Sequence, residues 1–281
     1  MASENNETAA LADDLLQRPL SAVCDTEETV HHVLTNRRVG LTRGGDETTV
    51  IEPGTDYGAV AAITDRRLLF LVGVPPGHET DFRTEVAYDD VEAVEKRTET
   101  LTQSLVVETE RERFEFTARK ARAVDEAVDV LESTLAEHVL DRASAHHESA
   151  REATEPADSA TELEAALDAY RRAATLLGDE DEPVSDAERA AREDAEAVLA
   201  RLVAAHREHA AACADAADWE LAADNDESAY ELLVDAREAY DRALELARAY
   251  PPGDPDAIER ERAAVVETLE PLKVRFAVAN A

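Results

Sequence analysis

The stretch 64-TDRRLLFLV-72 decides how the first half of this chain folds. Two arginines run straight into five apolar residues, in a sequence that is otherwise strongly acidic. Period two puts Arg66, Leu68, Phe70 and Val72 on one face of a strand and Arg67, Leu69 and Leu71 on the other. An antiparallel strand with one face in a core normally shows polar residues on its other face. Here both faces are apolar, so Leu69 and Leu71 call for a cover outside the core. The expected covers are a closing helix, the C-terminal helices or a second subunit, in that order. The arginines read either as a strip for an anionic partner or as strand-end residues. In the second case their stems lie over the core and their heads rest in water or on carboxylates.

Working outward, turn residues cut the flanking sequence into short extended segments. Val30–Thr35 and Arg37–Thr42 lead to a turn at Gly44-Gly45-Asp46, and Thr48–Ile51 leads to Pro53-Gly54. Ala59–Thr64 feeds the opening stretch, and Pro75-Pro76-Gly77 ends it. Phe82–Tyr88, Val91–Arg97, Leu101–Glu108 and Glu112–Thr117 follow, with Phe114 and Phe116 of "RFEFT" sharing one face. Seven or so strands at this spacing predict a small antiparallel barrel or sandwich.

Near residue 119 the period becomes helical. Val124, Val128, Leu131 and Leu135 line one face of a helix that would close the strand domain. "DRASAHHESAREATEPADSA" loses that stripe and contains Pro156, which predicts a linker over 143–158. Further helices carry Leu163, Leu167, Tyr170, Ala174 and Leu177 up to Gly178, then run from an N-cap at Ser185, with Glu188 completing a capping box, toward Trp219. Another runs from about Asp226 through Tyr240 to "YPPG", and the last starts near Pro255. The expected organisation is α+β and multidomain: an N-terminal tail or short helix over 1–24, a barrel domain over 25–142, a linker over 143–158 and an all-α bundle over 159–281.

With the strands laid out, "GAVAAITDRRLLFLVG", "TEVAYDDVEAVEKR" and "SLVVETERERFEFTA", followed by a helix, resemble the pleckstrin-homology-like domains of bacteria and archaea and are similar to GRAM domains. In that group a Gly-led strand ends in a Thr-Asp turn with Arg, and a Tyr-Asp-Asp turn like Ala87–Val91 comes later. The resemblance covers roughly residues 25–138 and implies a seven-stranded barrel capped by one helix. It also places Arg37, Arg38 and Arg43 in the first hairpin, where eukaryotic members hold phosphoinositides. The C-terminal frames "ALDAYRRAATLL" and "AREAYDRALELA" resemble the second helix of a tetratricopeptide repeat, and their tyrosines are 70 residues apart, close to two repeats of ~34.

Charge bounds the function. The chain has 64 acidic and 29 basic residues for a formal charge of −35, and its only lysines are Lys96, Lys120 and Lys273. Such a surface repels nucleic acid and anionic membrane. A Debye length of ~3 Å at 1 M salt would screen the self-repulsion, so the composition points to a halophile, archaeal in type. Two cysteines, Cys24 and Cys213, make no disulfide framework. With neither a leader-like N-terminus nor a long apolar run, the chain reads as soluble and cytoplasmic.

Catalytic signatures are missing: no phosphate-cradling glycine loop, no Gly-x-Ser-x-Gly elbow and no Cys/His nucleophile pair. His206, His209 and Cys213 share a helical face that could offer metal ligands, but the stripe continues through Leu199 and Leu202 and reads as core. The sequence therefore predicts a non-enzymatic interaction or scaffold protein without cofactor or metal, binding protein partners, with homo-oligomerisation open. Its expected interaction surface is Leu69, Leu71, Arg37, Arg38 and Arg43. The alternative is a peripheral lipid- or anion-binding protein using the Arg37/Arg38/Arg43 hairpin, followed by a metal-dependent enzyme.

Overall fold

A computed structural model describes residues 20–45, 48–55, 58–100, 102–178, 184–249 and 254–279. Asp46, Leu101, Tyr250–Gly253 and most of the N-terminal tail, which figured in the expected turns and boundaries, lie outside the described residues. The chain forms two compact units, Met1–His138 and Val139–Ala281.

The first unit is an antiparallel sheet of eight strands: β1 (Val30–Gly44), β2 (Thr49–Ile51), β3 (Ala59–Thr64), β4 (Arg67–Val72), β5 (Phe82–Ala87), β6 (Val91–Thr98), β7 (Gln103–Thr109) and β8 (Arg113–Ala118). Its order is β5-β4-β3-β1-β8-β7-β6, with β2 paired to β1. The two expected segments Val30–Thr35 and Arg37–Thr42 are one strand. β1 pairs with β3 through its first half and with β8 through its second, and between them residues 37–40 lie opposite Thr117 alone. Buried Asn36 holds this bend: its Nδ2 donates to the Val39 carbonyl at 3.0 Å, and its Oδ1 accepts the Ala59 N–H at 2.9 Å. Gly40 is required there, because a Cβ would sit 2.1 Å from the Ile51 carbonyl oxygen.

The sheet is open, which corrects the expected closed barrel: β5 and β6 end the path and do not pair. Their connection is the single 3-10 turn Tyr88–Asp90. Tyr88 turns inward there and donates its hydroxyl proton to the Thr64 carbonyl, a buried anchor between the two end strands. The sheet instead folds over on itself. Phe70 of β4 stacks on Phe114 of β8 at 5.5 Å and contacts Phe116 at 6.1 Å. The helix α1 (Ala121–Glu152) adds buried Val124, Ala127, Leu131 and Leu135 to this unit. It touches the sheet through Lys96–Asp125 at 2.6 Å and an edge contact of His138 on Tyr88.

The second unit comprises the last turns of α1 with α2 (Pro156–Leu177), α3 (Asp186–Ala222), α4 (Asp226–Ala249) and α5 (Pro255–Ala279). The predicted linker over 143–158 is corrected as well. Residues 143–152 are helical, and only Ala153–Glu155 break the chain before Pro156 starts α2. Ala143 and Ala150 are buried among α2 and α3 residues. Ser159 Oγ donates to the Ala150 carbonyl at 3.0 Å, and His146 Nδ1 meets Glu162 Oε2 at 2.8 Å. The stripe is made of alanine, so it carries no large apolar residue to mark it in sequence.

Each following helix packs on its chain neighbours. One core joins α1, α2, the first half of α3 and Leu246. Another joins the second half of α3 with α4 and α5. The two tyrosine frames are buried alike, Ala166/Tyr170/Ala173 in one core and Ala236/Tyr240/Ala243 in the other. Ser185 caps α3 by accepting the Glu188 N–H at 3.0 Å. The Glu188 carboxylate pairs with Arg192 instead of completing the expected box.

Candidate functional site

The opening stretch lies where β3 turns into β4, and it grips a segment of its own chain. Asp65 Oδ1 accepts the Thr29 N–H at 2.9 Å, while the Asp65 N–H donates to the Thr29 carbonyl at 2.9 Å. Thr64 Oγ1 lies 2.8 Å from Glu28 Oε1. Arg67 forks onto Glu28, Nε to Oε1 at 3.0 Å and Nη2 to Oε2 at 2.7 Å, and its Nη1 reaches Glu85 at 2.7 Å. Arg66 faces Asp25 at 3.8 Å and Glu27 at 3.6 Å from the surface.

The Glu28 side chain is fully excluded from solvent. Burial pushes its carboxyl up, but hydrogen bonds from Arg67, the Asp25 N–H and Thr64 outweigh it and hold the group at about 2. The hydrogen bonds and charge of Glu28, with the carboxylates of Glu85 and Asp25, keep the Arg67 guanidinium above its usual range. Two-pronged charged pairs of this kind are among the stronger hydrogen bonds in proteins.

Leu69 and Leu71 lie on the same face as Arg67, as period two requires, and their exposures are 0% and 2%. They form an apolar cluster with Val33, Val60 and Ala62, closed by Leu20 and packed by Val23 and Cys24. The cover is therefore the 3-10 turn Leu20–Ala22 and the residues after it, which was none of the three expected. As an exposed interaction surface, Leu69 and Leu71 are corrected: the chain's own N-terminal segment buries them.

The expected arginine site does not assemble as a trio. Arg43 is held by Glu112 in a second fork, Nε to Oε2 at 2.8 Å and Nη2 to Oε1. Arg37 and Arg38 are exposed on the bulged bend of β1, beside exposed Val39. Arg43 and Glu112 line a cleft of about 540 Å³ with Glu85, Asp89, Asp90 and Glu110. That cleft is predominantly acidic, and nothing in the spacing of the sequence marks it except the Asp89-Asp90 turn.

In the helical unit His206 has a different partner from the other two metal candidates. His206 Nε2 lies 3.5 Å from Glu164 Oε1 of α2, which also accepts Arg242 Nε of α4 at 3.1 Å. Burial lowers the affinity of His206 for a proton. His209 contacts Cys213 at 3.9 Å. Among the described residues no group of three or more His, Cys, Asp or Glu is arranged to hold a metal ion. No helix among them is long and apolar enough to cross a membrane.

A groove of about 360 Å³ runs between α2 and α3. Leu167, Ala174, Ala195 and Leu199 give it an apolar floor, while Arg171, Arg192 and Glu196 are polar residues along it. The sequence places Leu167 on one helix and Leu199 on the core-facing stripe of another, and the groove between them is visible only once the helices are paired. Scans against protein-family models and curated proteins found no family and no curated protein that matches this chain.

Proposed function

We propose that this chain is a non-enzymatic interaction protein of a halophile, working in the cytoplasm by binding protein partners. Its first unit is read as pleckstrin-homology-like, which is supported by the seven-strand path followed by one helix and by the Thr64–Arg67 and Tyr88–Asp90 turns. The second unit is read as repeat-like, supported by the equal burial of the Tyr170 and Tyr240 frames.

The observation that carries the binding role is the α2–α3 groove. An apolar floor with a few polar groups at its sides is the usual character of a ligand-receiving surface, and its volume of about 360 Å³ suits a peptide side chain or short segment. The matching face of α4 carries ion pairs: Arg237 and Asp241 stand where α2 has Leu167 and Arg171, and Asp241 pairs with Arg262 of α5. The two halves of the helical unit thus differ where a partner would enter.

Affinity capture at molar KCl, with the parent chain and an Arg171→Glu/Thr175→Glu variant, tests this. A partner retained by the parent and lost from the folded variant supports the role. The same captured set with both, or none with the parent, contradicts it.

A second reading rests on Arg37 and Arg38 exposed next to Val39, a basic and apolar tip on a bend. Flotation with anionic vesicles at molar KCl distinguishes it: binding that disappears in Arg37→Glu/Arg38→Glu would favour a lipid-facing role over a protein-facing one.

A further inference from the structure

The segment Leu20–Thr29 is held as a ligand would be. It contributes no strand to the sheet, and its hold on β3 and β4 combines an apolar head with an acidic tail. The head is Leu20, Val23 and Cys24 on the Leu69/Leu71 face. The tail is Asp25, Glu27 and Glu28 on Arg66 and Arg67, ending where Thr29 and Asp65 exchange backbone and carboxylate hydrogen bonds. Val23 lies three positions after Leu20, a single turn, and both side chains reach the same face. Glu28 lies five positions after Val23, enough to carry the carboxylate to the β3–β4 turn.

The site is specific in charge. In a chain of net charge −35, most of the surface repels an acidic segment. The β3–β4 turn attracts one, because two successive arginines there are matched by carboxylates of the segment. Thr64 and Asp65 add donors and acceptors at fixed positions, so the turn recognises the backbone of the segment as well as its charge.

We infer that the Thr64–Arg67 turn and the Leu69/Leu71 face form a docking site for an acidic segment with an apolar head, and that Leu20–Thr29 is its occupant in cis. The site accepts that segment as a separable ligand, so the same sequence supplied in trans binds when the cis copy is disabled. Opening the site exposes an apolar face that is otherwise sealed, which makes the segment a strap over it.

The test uses a fluorescein-labelled peptide of residues 20–30 with serine in place of Cys24, added to the full chain at molar KCl. The receiver carries Leu20→Asp, Val23→Asp and Glu28→Arg, which remove the head and the catch of its own strap. Saturable binding to this receiver is expected, at least tenfold tighter than to the parent, whose site is filled. Adding Arg67→Glu should weaken it at least tenfold. No saturable binding to a folded receiver, or binding indifferent to Arg67→Glu, overturns the inference. If the receiver fails to fold, the parent in a Cys213→Ala background decides. Excess unlabelled peptide should raise the thiol-labelling rate of Cys24 at least threefold by displacing the strap, and an unchanged rate overturns the inference.

Discussion

Arg67 holds Glu28 through two parallel hydrogen bonds, although they lie 39 positions apart in the chain. The pair joins the start of β4 to the residues that precede β1, and it fixes the cover of the Leu69/Leu71 face. Five apolar residues after two arginines thus serve both sides of one strand. Phe70 packs into the fold of the sheet, while Arg67, Leu69 and Leu71 bind the segment outside it.

The pair makes stability depend on acid. Glu28 is held at about 2 in the folded chain, below its ordinary value near 4.5. A depressed folded value contributes stability above the unfolded value and loses it as pH falls toward the folded one. The loss should therefore develop between about pH 4.5 and 2. The shift corresponds to roughly 3 kcal/mol as an upper bound. Denaturation at molar KCl across this range should show the decline in the parent and a shallower one in Glu28→Gln. Equal slopes would remove the pair from the account.

The apolar face should be expensive to disturb. Leu71→Ala leaves a cavity under Leu20 and Val33 and should cost about 2–5 kcal/mol in chemical denaturation. Leu69→Asp with Leu71→Asp should unfold the first unit instead of leaving a stable sheet with a bare face. A double variant with parent-like stability would show that the cluster is not closed.

The bend of β1 depends on Asn36. Asn36→Ala strands the buried Ala59 N–H and removes the donor to the carbonyl of exposed Val39. The cost is roughly 1–3 kcal/mol for each buried group left without a partner. Thermal unfolding of the variant checks this, and a change under half a kcal/mol would contradict it.

Charge sets the salt response. Unfolding midpoints should rise steeply from low to molar KCl, since screening relieves repulsion in a native state denser in charge than the unfolded chain. A flat response would remove the basis for reading the chain as halophilic.

Within 143–158, a Glu-specific protease should cut beside Ala153–Glu155 and spare Glu148, which lies within α1. Cleavage at Glu148 as early as at Glu155 would mean that the end of α1 is not a stable helix.

Much of the fold was legible because its signals are local. Period two assigned the faces of β4 correctly, and Gly and Pro marked the breaks around β3, β4 and the helices. Ser185 was readable as a cap because a hydroxyl before a helix satisfies an orphan N–H. Alanine hid the continuation of α1, since Ala143 and Ala150 bury too little surface to stand out from an alanine-rich background. Partners distant in sequence were also hidden. Nothing near Leu69 points to Leu20, nothing near Arg43 points to Glu112, and the α2–α3 groove exists only after two helices pair. The open edge between β5 and β6 depends on where Tyr88 is anchored, a contact with Thr64 that spacing does not encode.

Hydrogen exchange along residues 20–29 tests most directly whether this segment is a strap latched by Arg67 and Glu28. The amides of Val23, Cys24, Asp25, Glu28 and Thr29 are all hydrogen-bonded in the closed arrangement. At molar KCl they should be protected in the parent and lose at least tenfold of that protection in Glu28→Gln, while β3 and β4 keep theirs. Unprotected amides in the parent, or loss in Glu28→Gln that spreads equally through β3 and β4, would contradict the account.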